Sequence, residues 1–143
     1  MKYRFYQSPI HGLGCIANRD IKKGEIINEE PFFKFGRNAS FTVLNDYFWN
    51  YKGDKYLING LGSYANHSNE NNCKPVFSQN VFSTRLIPFI ALKDIKKDEE
   101  ILANYGEAYW KSRNKQKGTD KDKVEHSTQI NYANNSMFSL YPR

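Results

Sequence analysis

An internal repeat constrains this chain more than any other feature of its sequence. Residues 17–27 read Ala-Asn-Arg-Asp-Ile-Lys-Lys-Gly-Glu-Ile-Ile, and residues 91–101 read Ala-Leu-Lys-Asp-Ile-Lys-Lys-Asp-Glu-Glu-Ile. Each copy has a strand-like start, an Asp-Ile-Lys-Lys turn, an acidic residue and a second strand. The repeat is not a tandem array of 20–50 residues. It predicts instead that one chain corner is built twice.

Short strand-like runs separated by turns fill much of the remaining sequence. Residues 2–6 and 14–18 are rich in aromatic and β-branched side chains, which favours strands. Residues 26–33 continue as a strand that contains Pro31, and a proline there indicates an edge strand or a bulge. Together these runs predict a mostly β fold.

Two further segments complete this interpretation. Residues 40–51 show no clean apolar period, so they are consistent with either a helical turn or a strand. Residues 76–77 and 81–92 are typical of a hairpin and its continuation, with turn-forming residues at 78–80.

Composition narrows the class of protein. A chain of 143 residues is one domain by length, and aromatic residues make up 15% of it, so Phe and Tyr are expected in the core or in a ligand channel. The two cysteines, Cys15 and Cys73, are too few for a thiolate zinc site and favour reduced thiols over a disulfide. The absence of an apolar run long enough for a membrane span or a signal peptide predicts an intracellular protein.

Most of the net charge of +6 lies near the C-terminus. Residues 111–143 contain seven Lys or Arg and three Asp or Glu. Such a basic extension can bind nucleic acid or an acidic partner, or it can be a solvated terminus. Apolar residues return at 129–142, and we expect them to fold back over the domain or onto a second subunit.

Three short motifs carry the candidate chemistry. Gly12, Leu13 and Gly14 form a Gly-x-Gly turn that permits close approach of a ligand to the backbone. Asn66-His67-Ser68 places amide and imidazole groups in a polar loop. Tyr105 ends an apolar run. Each motif alone is also typical of an ordinary turn, a structural histidine or a core tyrosine, and His67 has no partners at metal-ligand spacing, so no metal is expected.

In this order and spacing, the motifs resemble those of SET-domain protein lysine methyltransferases. The matching segments are Gly12–Gly14, Asn66-His67-Ser68 with Asn72-Cys73, and Glu99-Glu100-Ile101 through Tyr105-Gly106. The likeness is greatest to minimal stand-alone SET proteins of viral or bacterial type. It implies a β-clip-like fold of small curved sheets with few short helices, in which the segments around Asn66 and Tyr105 cross in a pseudoknot.

The resemblance also implies an activity, a cofactor and site residues. The activity is methyl transfer from S-adenosylmethionine to a lysine of a histone or another protein. Tyr105 is the implied catalytic residue, and Tyr47, Tyr64 and Tyr105 are the implied substrate-lysine channel. The implied cofactor-binding residues are Gly12, Leu13, Gly14, Tyr64, Asn66, His67, Tyr105 and Trp110.

The sequence departs from the family pattern at three positions, and an alternative function stays open. Asn71 replaces a proline, Asp98 replaces a glycine, and Leu13 replaces an aromatic residue. The resemblance implies a SET domain over residues 1–110 and a basic extension over 111–143. The alternative is a non-catalytic SET-like module that binds peptide or nucleic acid. A homodimer, and a location in the cytoplasm or a host nucleus, are further expectations.

Overall fold

The computed structural model describes residues 1–38 and 44–106 of the chain. Within them, short strands outnumber helices, and the helices have only four or five residues. The elements are β1 (Tyr3–Gln7), β2 (Leu13–Ala17), β3 (Ile26–Phe35), a 3₁₀ turn (Leu44–Tyr47), β4 (Phe48–Tyr51), β5 (Asp54–Ile58), α1 (Leu61–Tyr64), β6 (Asn66–His67), β7 (Cys73–Pro75), α2 (Asn80–Thr84), β8 (Leu86–Ala91) and β9 (Glu100–Ala103).

The strands form two sheets. One has the order β1-β2-β9-β6, in which only the β6–β9 pair is parallel. The other has the order β4-β5-β3-β8-β7 and is antiparallel throughout. The mostly β class with few short helices is therefore confirmed. None of the helices described is long and apolar enough to cross a membrane.

Strand β3 lies in the middle of its sheet and not at an edge. Its first half pairs with β8 and its second half, from Phe32, pairs with β5. Pro31 is where the partner changes, so its missing N–H falls at the end of both ladders. The bulge lies elsewhere, between Ile26 and Asn28. The prediction of an edge strand was wrong because two half-length partners together cover β3.

The hairpin prediction needs a correction as well. Strands β7 and β8 do pair antiparallel, but the chain between them forms helix α2. Arg85 ends that helix in the left-handed region, with φ of 63°, and its N–H donates to the Val81 carbonyl at 2.8 Å. The described part of the segment 40–51, which had no clean apolar period, is a 3₁₀ turn followed by strand β4. Residues 40–43 lie outside the described residues.

Large apolar side chains from both sheets share one core. Its fully buried members come from β2, β5, α1, β8, β9 and both copies of the repeat. The largest of them are Tyr56, Phe89, Ile21, Ile58, Leu61, Ile87, Ile95 and Ile101.

The repeated segments do build one corner twice, and the two corners pair with each other. Ile21 and Ile95 exchange both backbone hydrogen bonds, at 2.7 and 2.8 Å, about a local two-fold axis. The Lys23 N–H donates to the Asp94 carboxylate at 2.9 Å. In the contact related to it by the two-fold axis, the Lys97 N–H donates to the Asp20 carboxylate at 2.8 Å.

Flanking backbone bonds follow the same symmetry. The Gly24 N–H donates to the Ala91 carbonyl at 2.8 Å, and the Asp98 N–H donates to the Ala17 carbonyl at 2.8 Å. Gly24 and Asp98 thus occupy equivalent positions, and both have positive φ, 87° and 68°. Of the two, only Asp98 carries a side chain beyond hydrogen, and this conformation is unfavourable for most L-residues.

We predict that Asp98→Ala is less stable than Asp98→Gly by about 0.5–1 kcal/mol, because alanine meets the left-handed penalty that glycine avoids. Urea unfolding of both variants measures the difference. The neighbouring Lys97 is the control, since it is not among the positive-φ residues. There the order should reverse, with glycine the less stable. Equal stability of the two Asp98 variants would contradict the prediction.

Asn72 fastens the predicted pseudoknot segments together. Its buried side chain donates to the Glu100 carbonyl at 2.9 Å and accepts from the Leu102 N–H at 2.8 Å. Its own N–H donates to the Leu102 carbonyl at 3.0 Å. The segment from Asn66 to Cys73 is thereby bonded to β9 at both ends, so the two segments lie side by side as expected.

Candidate functional site

The carboxylate of Glu100, the first residue of β9, connects three segments that are distant in sequence. The Tyr6 hydroxyl donates to Oε1, and the Ser8 hydroxyl lies 2.9 and 3.0 Å from the two oxygens. The Asn66 amide donates to Oε2 at 2.9 Å. Charge-assisted bonds of this kind are about twice as strong as neutral ones. Glu100 therefore fixes the N-terminal segment and the Asn66 loop on β9.

Asn66 is held in one amide orientation by its two acceptors. Its Nδ2 donates to the His11 carbonyl at 3.1 Å as well as to Glu100. Since a carbonyl and a carboxylate both accept, the NH₂ group must face them. The amide oxygen then points the other way, as an acceptor suited to an ammonium group.

Tyr105 lies against the neighbouring histidine. Its N–H donates to Nδ1 of His67 at 3.0 Å, and the two rings are 5.0 Å apart. An Nδ1 that accepts from an N–H carries no proton, so the proton of a neutral His67 is on Nε2. The Tyr105 hydroxyl donates to the Ala65 carbonyl at 2.9 Å. Its proton is thus engaged, and its oxygen lone pairs are directed away from that carbonyl.

The glycine turn reaches the same place through Gly14. A Cβ at Gly14 would lie 2.7 Å from Oε2 of Glu100 and 2.9 Å from Nδ2 of Asn66. Only glycine allows β2 to pack so closely on this pair. Gly12 has φ of 45°, and its carbonyl accepts from the Ser8 N–H at 2.7 Å. The turn is therefore tied to the residues that hold Glu100.

The other predicted residues have separate outcomes. Leu13 begins β2 and pairs with Gln7. Tyr64 packs against Phe5, with ring centroids 5.1 Å apart, and Tyr47 is buried at the end of its 3₁₀ turn. The roles of Tyr47 and Tyr64 in a lysine channel, and of Leu13 and Tyr64 in cofactor binding, stay predictions. Trp110 lies outside the described residues, as does the whole extension over 111–143.

Sequence reasoning missed the roles of Glu100 and Asn72. Both were part of the quoted motifs, but neither was assigned a function. A signal was present, because an acidic residue at the start of an apolar strand and an asparagine next to a cysteine both need partners where the chain is buried.

Burial changes the acidity of two groups near this site. Burial, followed by the hydrogen bond to Glu100, raises the pKa of Tyr6 to about 12. Burial also raises the pKa of the Cys73 thiol to about 12, so that thiol is protonated and unreactive at neutral pH.

A surface groove lies away from this site. A groove of about 670 Å³ is lined by residues from the N-terminus, β3 and β8 and by Arg19, and none of the predicted site residues lines it. In the ranges 1–38 and 44–106, no cluster of His, Cys, Asp and Glu is arranged to hold a metal ion.

Comparison with known proteins now identifies the family. The profile of the SET domain matches residues 12–106, which include Gly12, Asn66 and Tyr105. The chain belongs to the SET-domain family. It is 30% identical over 106 residues to the histone-lysine N-methyltransferase, H3 lysine-37 specific, of Schizosaccharomyces pombe, and covers 69% of each protein. It is a protein-lysine methyltransferase.

Two further comparisons agree with this assignment. The chain is 30% identical over 113 residues to an N-lysine methyltransferase of Xenopus laevis. The aligned region covers 67% of this chain and 33% of the frog enzyme. The fold superposes, with a TM-score of 0.65, on a crystal structure of a Plasmodium falciparum protein assigned as a histone methyltransferase. That match has 33% identity and covers 76% of this chain and 96% of the other. The resemblance to viral or bacterial proteins stays a prediction.

We predict that Tyr6→Phe flattens the loss of stability at alkaline pH. Because the pKa of Tyr6 is about 12 in the folded chain and about 10 when unfolded, its contribution is complete below pH 10 and is lost as pH rises towards 12. Urea unfolding between pH 9 and 11.5 tests this, with Tyr51→Phe as the comparison. An unchanged slope in Tyr6→Phe would contradict the expectation.

Proposed function

We propose that this chain transfers a methyl group from S-adenosylmethionine to a lysine of a histone or another protein, in the site formed by Gly12–Gly14, Asn66, His67 and Tyr105. The observation that carries the proposal is the convergence of these three motifs on β9. They are separated by up to about ninety residues, yet hydrogen bonds through Glu100 and His67 connect them. SET methyltransferases use this cofactor.

The residues present fit the chemical groups of that cofactor. S-adenosylmethionine supplies an electrophilic methyl on a positively charged sulfur and also carries an ammonium and a carboxylate. The amide oxygen of Asn66, which faces away from Glu100, would accept from the ammonium. The Gly12 and Leu13 backbone would lie close to the cofactor, since Gly12 has no side chain to prevent approach. His67 would contribute its Nε2 proton as a donor.

Tyr105 would orient the target amine at the point of transfer. Its hydroxyl proton is directed to Ala65, so the oxygen offers lone pairs to the amine hydrogens and to the electron-poor methyl. The target lysine must be neutral, although its ordinary pKa is about 10.4. An apolar aromatic channel and a nearby positive charge both lower that pKa. Orientation supplies part of an effect that reaches ~7–11 kcal/mol in well-positioned reactions.

A histone substrate is proposed from the names of the relatives, and the lysine within it is not assigned. The test is incubation of the full chain with core histones and labelled S-adenosylmethionine, followed by mass spectrometry of the products. Incorporation at lysine supports the proposal. If histones are not labelled but a protein in a cell extract is, the substrate is that other protein and not a histone.

Tyr105→Phe should lower kcat by at least about tenfold while the melting temperature stays within a few degrees. The reason is the loss of one positioned hydroxyl with almost no change of shape. Tyr51→Phe is the matched control, because its ring stacks on Phe77 at 4.6 Å and keeps that contact without the hydroxyl. Near-normal turnover of Tyr105→Phe would remove this residue from its role and favour the non-catalytic alternative.

Glu100→Gln should weaken S-adenosylmethionine binding by roughly tenfold and change kcat less. A glutamine amide would present hydrogens to donors and turn the Asn66 amide, and a buried polar mismatch costs about 1–3 kcal/mol. Titration calorimetry measures the affinity, and urea unfolding shows whether the fold survives. Glu99→Gln is the control, because Glu99 is exposed and its carboxylate accepts from the Lys96 backbone. Equal affinities of the two variants would refute the positioning role.

A further inference from the structure

A second carboxylate, that of Glu30 in β3, is buried more deeply than the carboxylate of Glu100. Its residue is only 3% exposed. Oε2 of Glu30 accepts from the Tyr3 hydroxyl at 2.7 Å and from the Leu61 N–H, and Oε1 accepts from the Asn28 amide. Burial of a carboxylate is costly unless donors replace the water that it has lost. Three donors around one buried side chain therefore indicate a contact that the fold maintains.

The Glu30 carboxylate caps helix α1 from outside the helix. The first N–H groups of any helix have no partner within it, and Gly60, the residue before α1, has no side chain to bond them. The Leu61 N–H is one of these groups, and it donates to Glu30. A Cβ at Gly60 would lie 1.6 Å from Oε2 of Glu30, and φ at Gly60 is 57°. Glycine at this position therefore lets the carboxylate reach the backbone where α1 begins.

One turn of backbone connects this contact to Tyr105. The Leu61 carbonyl accepts from the Ala65 N–H at 3.0 Å, which closes the turn. The Ala65 carbonyl in turn accepts from the Tyr105 hydroxyl at 2.9 Å. Glu30 and the Tyr105 hydroxyl are therefore bonded to opposite ends of residues 61–65, a segment that is only about 6 Å long at the helical rise per residue.

The position of α1 depends on bonds to the surrounding chain, because a helix of four residues is not stable by itself. Two neutral bonds hold its middle. The Ser63 hydroxyl donates to the Ile58 carbonyl at 2.6 Å, and the Trp49 indole N–H donates to the Gly62 carbonyl at 2.7 Å. The start of the helix is bonded to a carboxylate, and hydrogen bonds to charged groups are about twice as strong as neutral ones. Glu30 is therefore the strongest of these three attachments.

We propose that Glu30 is a positioning residue for methyl transfer, because it fixes the turn whose last carbonyl orients the Tyr105 hydroxyl. The inference rests on the proposed function, in which that hydroxyl orients the target amine. If the contact with Leu61 is lost, the turn shifts and carries the Ala65 carbonyl with it. The oxygen lone pairs of Tyr105 then no longer point at the amine, and small misplacements of reacting groups lower rates strongly.

The proposal distinguishes the effect of Glu30 from that of Glu100. Asn66, the residue after the turn, is held separately, by Glu100 and by the His11 carbonyl. Loss of the Glu30 contact should therefore lower kcat while the affinity for S-adenosylmethionine changes little. A purely structural role would lower the melting temperature without this division between kcat and affinity.

Three variants of the full chain form the test. Glu30→Leu removes the acceptor with little change of volume. Glu30→Gln keeps one oxygen, which can accept from Tyr3 and Leu61 as Oε2 does, while the Asn28 amide turns its own oxygen to the new NH₂ group. Tyr3→Phe is the matched control. It also removes a hydrogen bond from Glu30 but leaves the contact with Leu61, and its ring keeps the edge contact with Phe5 at 5.7 Å.

The first measurement needs no substrate. Hydrogen exchange, followed by mass spectrometry, is compared between peptides that contain residues 61–66 and peptides from β8. Glu30→Leu should raise exchange in residues 61–66, relative to β8, on the order of tenfold, because the turn opens locally once its attachment is lost. Glu30→Gln and Tyr3→Phe should keep the wild-type ratio.

The second measurement is turnover with core histones and labelled S-adenosylmethionine, together with cofactor affinity by calorimetry. Glu30→Leu should lower kcat on the order of tenfold, with the cofactor affinity close to that of the wild type. Glu30→Gln should restore most of the lost kcat. Tyr3→Phe should lower the melting temperature and leave kcat unchanged.

Several results would overturn the proposal. Unchanged exchange of residues 61–66 in Glu30→Leu would do so, whether or not the chain methylates histones. An equal loss of kcat in Tyr3→Phe, or a loss of cofactor affinity as large as the loss of kcat, would indicate a general structural role. If Glu30→Leu does not fold, Glu30→Asp takes its place with the same expectations, because the shorter side chain keeps the charge but draws back from the Leu61 N–H. Absence of methyl transfer by the wild type would refute the proposed function, and the kinetic part of this proposal with it, before any variant is compared.

Discussion

The carboxylate of Glu100 is the constraint on which the candidate site depends. It accepts from Tyr6 and Ser8 of the N-terminal segment and from Asn66, which is far from them in the sequence. This partly buried carboxylate has several donors around it, and each donor restricts where its segment can lie. Gly14 completes the arrangement, because any larger residue would displace the carboxylate from the amide. These shared hydrogen bonds hold the parts of the site together, so that they cannot move independently.

The same network gives direction to the chemistry. Both hydrogens of the Asn66 amide are used within the protein, and so is the proton of the Tyr105 hydroxyl. The site therefore presents oxygen acceptors where positively charged or electron-poor groups are expected. A site preorganised in this way needs little rearrangement when such a ligand binds, which preserves binding energy for the transition state.

The sequence predicted the class of fold better than it predicted local structure. Short strands, the double corner and the convergence of Gly12, Asn66 and Tyr105 follow from the motifs and their order. Helix α2 did not follow, because its apolar residues resemble a strand and only its tertiary position determines its shape. The middle position of β3 was also hidden, since a proline usually marks an edge and the two half-length partners appear nowhere in the local sequence. Glu100 and Asn72 could be located but not interpreted, because their partners are distant in the chain.

The pairing of Ile21 with Ile95 has a consequence for how the chain acquires its structure. Strand β2 has β1 beside it early, but its other neighbour, β9, comes more than eighty residues later in the chain. Contacts of such long range make folding slow, because the entropy of closing a large loop is lost before the stabilising contacts form. During synthesis the exposed side of β2 must wait until almost the whole domain has left the ribosome. The pairing of the two repeat copies can form only when both are present. It is therefore a late step of folding that fixes the native topology of the domain.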